Sequence, residues 1–321
     1  MSKKSMAARR QMREAALEDR AGGSRQQSRN RPRGRNYRRN EARRPWGLIS
    51  AVVGVVVVFV IVVVALEISL TGNLKQDTRV LPAPASLVNS LSSIPVATLE
   101  KVGAGNISHP PLNIPASYKA TALTSKGLPE VAYVGGEFCP YCALERWSLI
   151  VGLSRFGKWS NLHTIRSSVY DTPGNLPTFT MAHGTKFTSR YLVFYGREYQ
   201  SNVSIHHNGA PYKSLQTDLT PDVLTAFTKI DGGDYPFVDW SGKLAQVGSE
   251  AAAANVTAMQ GLTWNQVLTQ LRNPKSTIAQ EILGGANYVT AATCLQTGQQ
   301  PGAVCSSSMI KRLETSLEAS Q

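Results

Sequence analysis

The chain has 321 residues, with 34 Lys and Arg against 21 Asp and Glu, a net charge of +13. Such a surplus would suit a nucleic-acid-binding protein if it lay on a folded face, but 15 of the basic and 4 of the acidic residues fall in residues 1–44, which alone carry +11. The remainder is nearly neutral, so no nucleic-acid partner is expected.

Residues 1–45 hold runs such as NRPRGRNYRRNEARR, rich in Arg, Gln, Asn and Gly. That composition cannot bury enough apolar surface to offset the entropy of ordering, which predicts a disordered, basic, cytoplasmic tail. Residues 46–66, WGLISAVVGVVVVFVIVVVAL, contain no charge. A helix of that length, rising about 1.5 Å per residue, covers roughly 30 Å, the thickness of a bilayer's hydrocarbon core. A cleaved signal peptide would have a shorter apolar region and a small-residue cleavage site, and the following VVVALEISL offers none. A single transmembrane helix is therefore predicted. The Lys and Arg excess directly before it places the N-terminus inside. The expected location is the cell membrane, single-pass, with the C-terminal domain extracytoplasmic. All four cysteines then lie on the side where disulfides persist.

Residues 67–128 are rich in Pro and Ser, as in LPAPAS and SHPPLNIPASYKA, and read as a spacer. Its apolar pieces SLVNSLSSI and VATLEKVG are expected to pack on the domain that follows. Residues 129–321 read as that domain. EVAYVGG is a short β-branched strand closed by glycines, followed by EFCPYC and by the helix ALERWSLIVGLSRFGKW. In that helix Leu144, Trp147, Ile150 and Leu153 recur at helical spacing, with Glu145 and Arg146 on another face. LHTIRSSVY is a second strand, DTPGNLPTFTMAHGTKFTS an insertion and YLVFYGREYQ a further strand. LTPDVLTAFTKI is a helix with Thr220 as N-cap and Pro221 at its first position. PFVDW and KLAQVGS form a hairpin about Ser241-Gly242, and TWNQVLTQLRN is an amphipathic helix. TIAQEILGGANYVTAATCLQ is a helix interrupted by Gly284 and Gly285, and IKRLETSLEAS a polar closing one. The fold class is α/β, with an insertion and an added C-terminal helical region.

The strongest chemical signal is Cys139-Pro140-Tyr141-Cys142 at a junction from strand to helix. A helix N-terminus favours a thiolate at Cys139 through its unpaired N–H groups and dipole, and Pro140 suits the first helical position. Exchange needs an exposed, partly ionised attacking sulfur and a second sulfur to resolve the mixed disulfide. Cys139 and Cys142 fill these roles. The competing readings are a static disulfide, or half a zinc site completed by Cys294 and Cys305. Their ten-residue separation is not that of a zinc knuckle, and no metal is expected.

EFCPYC after a glycine-ended strand resembles the active-site region of thioredoxins, glutaredoxins and bacterial disulfide oxidases. The resemblance implies a thioredoxin-like fold. Tyr235-Pro236, opening PFVDW, looks like that superfamily's cis-proline strand, which implies substrate contact by Tyr235 and Pro236 beside Pro140 and Tyr141. The stretch from about Pro95 to Lys311 is similar to an uncharacterised membrane-anchored family, domain of unknown function 929. The matching pieces are GGEFCPYCALERWSLIVGLSRFG, YPFVDW, TWNQVLTQL and GGANYVTAATCLQTGQQPGAVC. It implies fold and topology but no substrate.

Glu137 reads as a surface acid. The adjacent His206 and His207 point apart on an extended segment and read as surface too. Cys294 and Cys305 flank a turn-rich stretch and are expected to form a structural disulfide, with a relay to Cys139 and Cys142 as the sharper alternative. The function expected is thiol–disulfide exchange on exported protein thiols or disulfides, with a redox partner and no cofactor beyond the cysteine pair. The alternative is a non-catalytic binding or structural module.

Overall fold

In the computed structural model, residues 75–118, 121–215 and 218–319 are described. The predicted tail and the predicted span at residues 46–66 lie outside them. Among the described residues no helix is long and apolar enough to cross a membrane.

The first elements are β1 (Leu81–Pro82), α1 (Ala85–Ser92), α2 (Val96–Val102), β2 (Leu112–Asn113), β3 (Thr124–Ser125), β4 (Leu128–Gly135) and α3 (Pro140–Leu153). Then come β5 (Gly157–Ser160), β6 (His163–Arg166), β7 (Pro177–Thr180), β8 (Lys186–Ser189), β9 (Val193–Glu198), β10 (Gln200–Ser204) and β11 (Tyr212–Ser214). The last are α4 (Pro221–Ile230), β12 (Phe237–Trp240), β13 (Leu244–Val247), α5 (Ala253–Val256), α6 (Trp264–Leu271), α7 (Thr277–Gln296), α8 (Gly302–Cys305) and α9 (Ser308–Ala319).

β4 is the centre of a mixed sheet. It runs parallel to β9 and antiparallel to β12, which continues antiparallel through β13 to β2. Side chains alternate across this sheet, as the two-residue period of a strand demands. Val131, Tyr133, Val238, Trp240 and Leu244 join the large core that contains α3 and α7, whereas Ala132, Val134, Phe237 and Ala245 pack with Val223 and Phe227 of α4. The sheet is thus covered on both faces. The hairpin between β12 and β13 turns at Ser241 and Gly242, with φ of 56° and 72°. Two consecutive positive values match the tight turn that follows the right-handed twist of paired strands.

The sequence predicts a break in α7 at Gly284 and Gly285, yet the helix runs through all 20 residues. The glycines serve close packing instead. A Cβ on Gly284 would lie 2.8 Å from the Ala104 carbonyl oxygen, and one on Gly285 would collide with the Glu250 carboxylate. The Asn287 amide donates to the carbonyls of Leu99 (2.9 Å) and Gly103 (2.8 Å), holding α2 on α7. The stretch expected as a partly packed spacer therefore adds Leu87, Leu91, Leu99 and Val102 to the core. A fully buried leucine or valine contributes about 1.5–3 kcal/mol.

α3 departs furthest from expectation. It reads as amphipathic, but with α7 on one side and β7 on another, every residue from Cys142 to Leu153 is buried, Glu145 and Arg146 included. The predicted insertion folds as well. Its strand β7 pairs with β6, and Thr178 of β7 donates to the Ala143 carbonyl of α3 at 2.8 Å.

Candidate functional site

β4 leads through residues 135–138 to Cys139, the N-cap of α3, with extended backbone at φ −71° and ψ 125°. Its Sγ accepts the Cys142 N–H at 3.3 Å, so the thiol takes the place of the oxygen that usually caps a helix. Pro140 follows at the first helical position. Both thiols are free. Cys139 keeps 6% of its surface exposed and Cys142 none. The expectation was an exposed attacking sulfur, and Cys139 is more enclosed than that.

The two sulfurs are unequal in charge as well. Hydrogen bonding with Cys142 holds the Cys139 thiol below its ordinary pKa, aided by the Arg146 charge and opposed by burial. Burial drives the Cys142 thiol well up, and the neighbouring Cys139 adds to it. An attacking and a resolving thiol require this inequality.

Aromatic rings surround the turn. Phe138 stacks on Tyr212 at 4.1 Å and meets Tyr235 edge-on at 6.2 Å. Tyr235 also stacks on Phe227 at 5.9 Å. Burial, then the nearby Cys142, raises the Tyr235 phenol pKa. The Tyr235–Pro236 peptide is cis. Phe237 pairs with Val134, which places Pro236 beside the strand end that leads to Cys139. Pro140 is buried and Tyr141 is partly buried against the large core.

Beneath the thiols lies a group of buried charges that the sequence reading missed. The Arg146 guanidinium donates through Nη1 to both oxygens of Glu198 at 3.0 Å, to the Gly136 carbonyl at 3.2 Å and to the Tyr133 hydroxyl at 3.3 Å. Its Nε donates to Thr178 at 3.3 Å. Burial lifts the Glu198 carboxyl to about 7, against the pull of Arg146. Glu137, read as a surface acid, is 1% exposed. It accepts from the Thr180 hydroxyl at 2.7 Å and lies 3.1 Å from Nε2 of His183, and that hydrogen bond raises the His183 pKa. The signal for Glu198 was faint: an acid closing β9, which pairs in parallel with the largely buried β4.

A cavity of about 570 Å³ is lined by His183, Lys186, Phe187, Phe194, Arg197 and Glu198, among others, but by neither cysteine. Cys294 and Cys305 are joined by a disulfide between the ends of α7 and α8, with Cα atoms 5.6 Å apart. Closing so short a loop is worth about 3 kcal/mol in the chain-entropy picture. His206 and His207 are exposed. Among the described residues no group of three or more His, Cys, Asp or Glu is placed to hold a metal ion.

The fold and the site define a mixed α/β domain with a dithiol at a helix N-terminus. The chain belongs to the family described as a domain of unknown function (DUF929), whose model matches residues 115–295, more than half of its length. No curated protein and no solved structure matches it.

Proposed function

We propose that this protein is a membrane-anchored, extracytoplasmic thiol–disulfide oxidoreductase with a thioredoxin-like fold, acting on exported protein thiols or disulfides through Cys139 and Cys142. The observation that carries this reading is the inequality of two free sulfurs one helical turn apart. One caps the helix with its pKa lowered, and the other is sealed with its pKa raised. The fold proposal draws support from the order of parallel β4 and β9 joined through α3, followed by α4 and the β12–β13 hairpin, on a sheet covered on both faces. The anchor rests on the uncharged residues 46–66 and the basic residues before them.

A second reading, a binding module whose CPYC pair takes no part in exchange, is favoured by the 6% exposure of Cys139. A Cys142→Ser variant separates the two. It is expected to accumulate mixed disulfides with exported proteins, because the resolving sulfur is gone, while Cys139→Ser accumulates none. Should Cys142→Ser trap nothing, and should Cys139 in the reduced protein resist alkylation as fully as Cys142, the binding-module reading replaces the enzyme.

A further inference from the structure

Arg146 lies four residues beyond Cys142, on the same face of α3, where side chains become neighbours one turn apart. It is 0% exposed. Placing a guanidinium in such surroundings is costly unless several groups meet it, and here Glu198, Tyr133, Gly136 and Thr178 all do, through Nε and Nη1. Among the described residues Nη2 has no hydrogen-bond partner. The guanidinium is therefore held through two of its three nitrogens, and the third is uncommitted, on a residue one turn beyond Cys142.

We propose that Arg146, clamped by Glu198, is the fixed positive charge that favours the reduced state of the Cys139–Cys142 pair, so that electrons flow into the pair from exported protein dithiols. The inference rests on the redox reading above and supplies its direction. A substrate thiolate attacks Cys139 Sγ, the Cys139–Cys142 bond breaks, and its electron pair leaves on Cys142 Sγ. The second substrate thiolate then attacks the substrate sulfur of the mixed disulfide, closes the substrate's own disulfide and releases Cys139 as a thiolate. Two electrons have passed from dithiol to pair. Of the two substrate protons one goes to Cys142 and the other to solvent. A second disulfide-bearing protein returns the pair to its oxidised form by the same steps reversed.

Arg146 is a positioning residue here, acting through charge on sulfurs that do the chemistry. The negative charge that each step develops on a sulfur is met by a cation whose place is already fixed, so no reorganisation is required. The lowered pKa of the Cys139 thiol agrees with this, since Arg146 is one of its causes. The Arg146 contribution at Cys142 acts in the same direction, though burial outweighs it there.

The test is redox equilibration of the full chain with reduced and oxidised glutathione, together with ultraviolet titration of the thiolate, for wild type, Arg146→Met, Arg146→Lys and Glu198→Gln. Arg146→Met is expected to shift the equilibrium about tenfold toward the disulfide, a fall of about 30 mV, and to move the Cys139 titration upward. Arg146→Lys should recover most of both shifts. Glu198→Gln, which leaves the cation without its opposing charge, should move both the other way, and it carries the test with Arg146→Lys if Arg146→Met does not fold. Arg146→Met and Glu198→Gln variants that both stay within about twofold of a wild type that itself equilibrates overturn the role of Arg146 and leave the enzyme standing. A wild type that never equilibrates removes the redox reading, and this inference with it.

Discussion

Glu145 and Arg146 are consecutive residues of one helix, 1% and 0% exposed, and the structure treats them in opposite ways. Arg146 faces a carboxylate, a phenol, a hydroxyl and a carbonyl. Neither carboxyl oxygen of Glu145 has a hydrogen-bond partner among the described residues. Beside it lies Glu250, whose pKa is pushed well up by burial, then by Glu145, with Glu281 adding to it. Burial lifts Glu145 to about 8. A counter-ion favours the charged form of a buried group, whereas a buried carboxyl with no partner is driven toward its protonated form. The side of α3 toward β7 and β9 is thus built to hold charge, and the side toward α7 is built to lose it.

The largest expected effect breaks the charged side. Glu198→Ala strands the guanidinium, and loss of one partner of a buried pair costs about 3–5 kcal/mol. Denaturant unfolding reads this, and a loss below about 1 kcal/mol would mean that the pair is solvated and the contrast unreal. The next test concerns the acidic side. Because folding raises the Glu145 pKa from 4.5 to about 8, the folded state binds the extra proton. The stability linked to it is fully present below about pH 4.5 and drains away as pH climbs to about 8. Glu145→Gln is expected to raise the unfolding free energy at about pH 8, by on the order of 1–3 kcal/mol, and to change it little at about pH 5. Equal effects at both values would show that charge is not what matters at this position. The smallest expected change sharpens the first. Tyr133→Phe removes one hydrogen bond to Arg146 and should cost about 1 kcal/mol, with the thiol titration little moved.

Which parts were legible in the sequence follows a divide between local and distant causes. The CPYC turn, Pro221 at the start of α4, the hairpin at Ser241-Gly242 and the helix beginning at Trp264 all depend on residues within a few positions of one another, and each lies where its local pattern places it. The mixed α/β class and the family were legible for the same reason. The burial of Glu137, Glu145 and Arg146 was not. It depends on β7, β9 and α7, which arrive from 30 or more residues away, and a charged residue ordinarily signals solvent. Gly284 and Gly285 misled in a related way. They look like a helix break locally, but the reason for them is a backbone and a carboxylate that come from Ala104 and Glu250.

The asparagine of α7 that grips α2 also bears on where this domain begins and ends. The family match spans residues 115–295, but α1 and α2 lie before it and Cys305 and α9 after it. A fragment cut at those limits would leave Cys294 without its bonded sulfur and Asn287 without its two carbonyls, and would strip Leu91 and Ile310 from the interior. The recurrent segment shared across the family is therefore smaller than the unit that holds together, and the flanks are structural members in their own right.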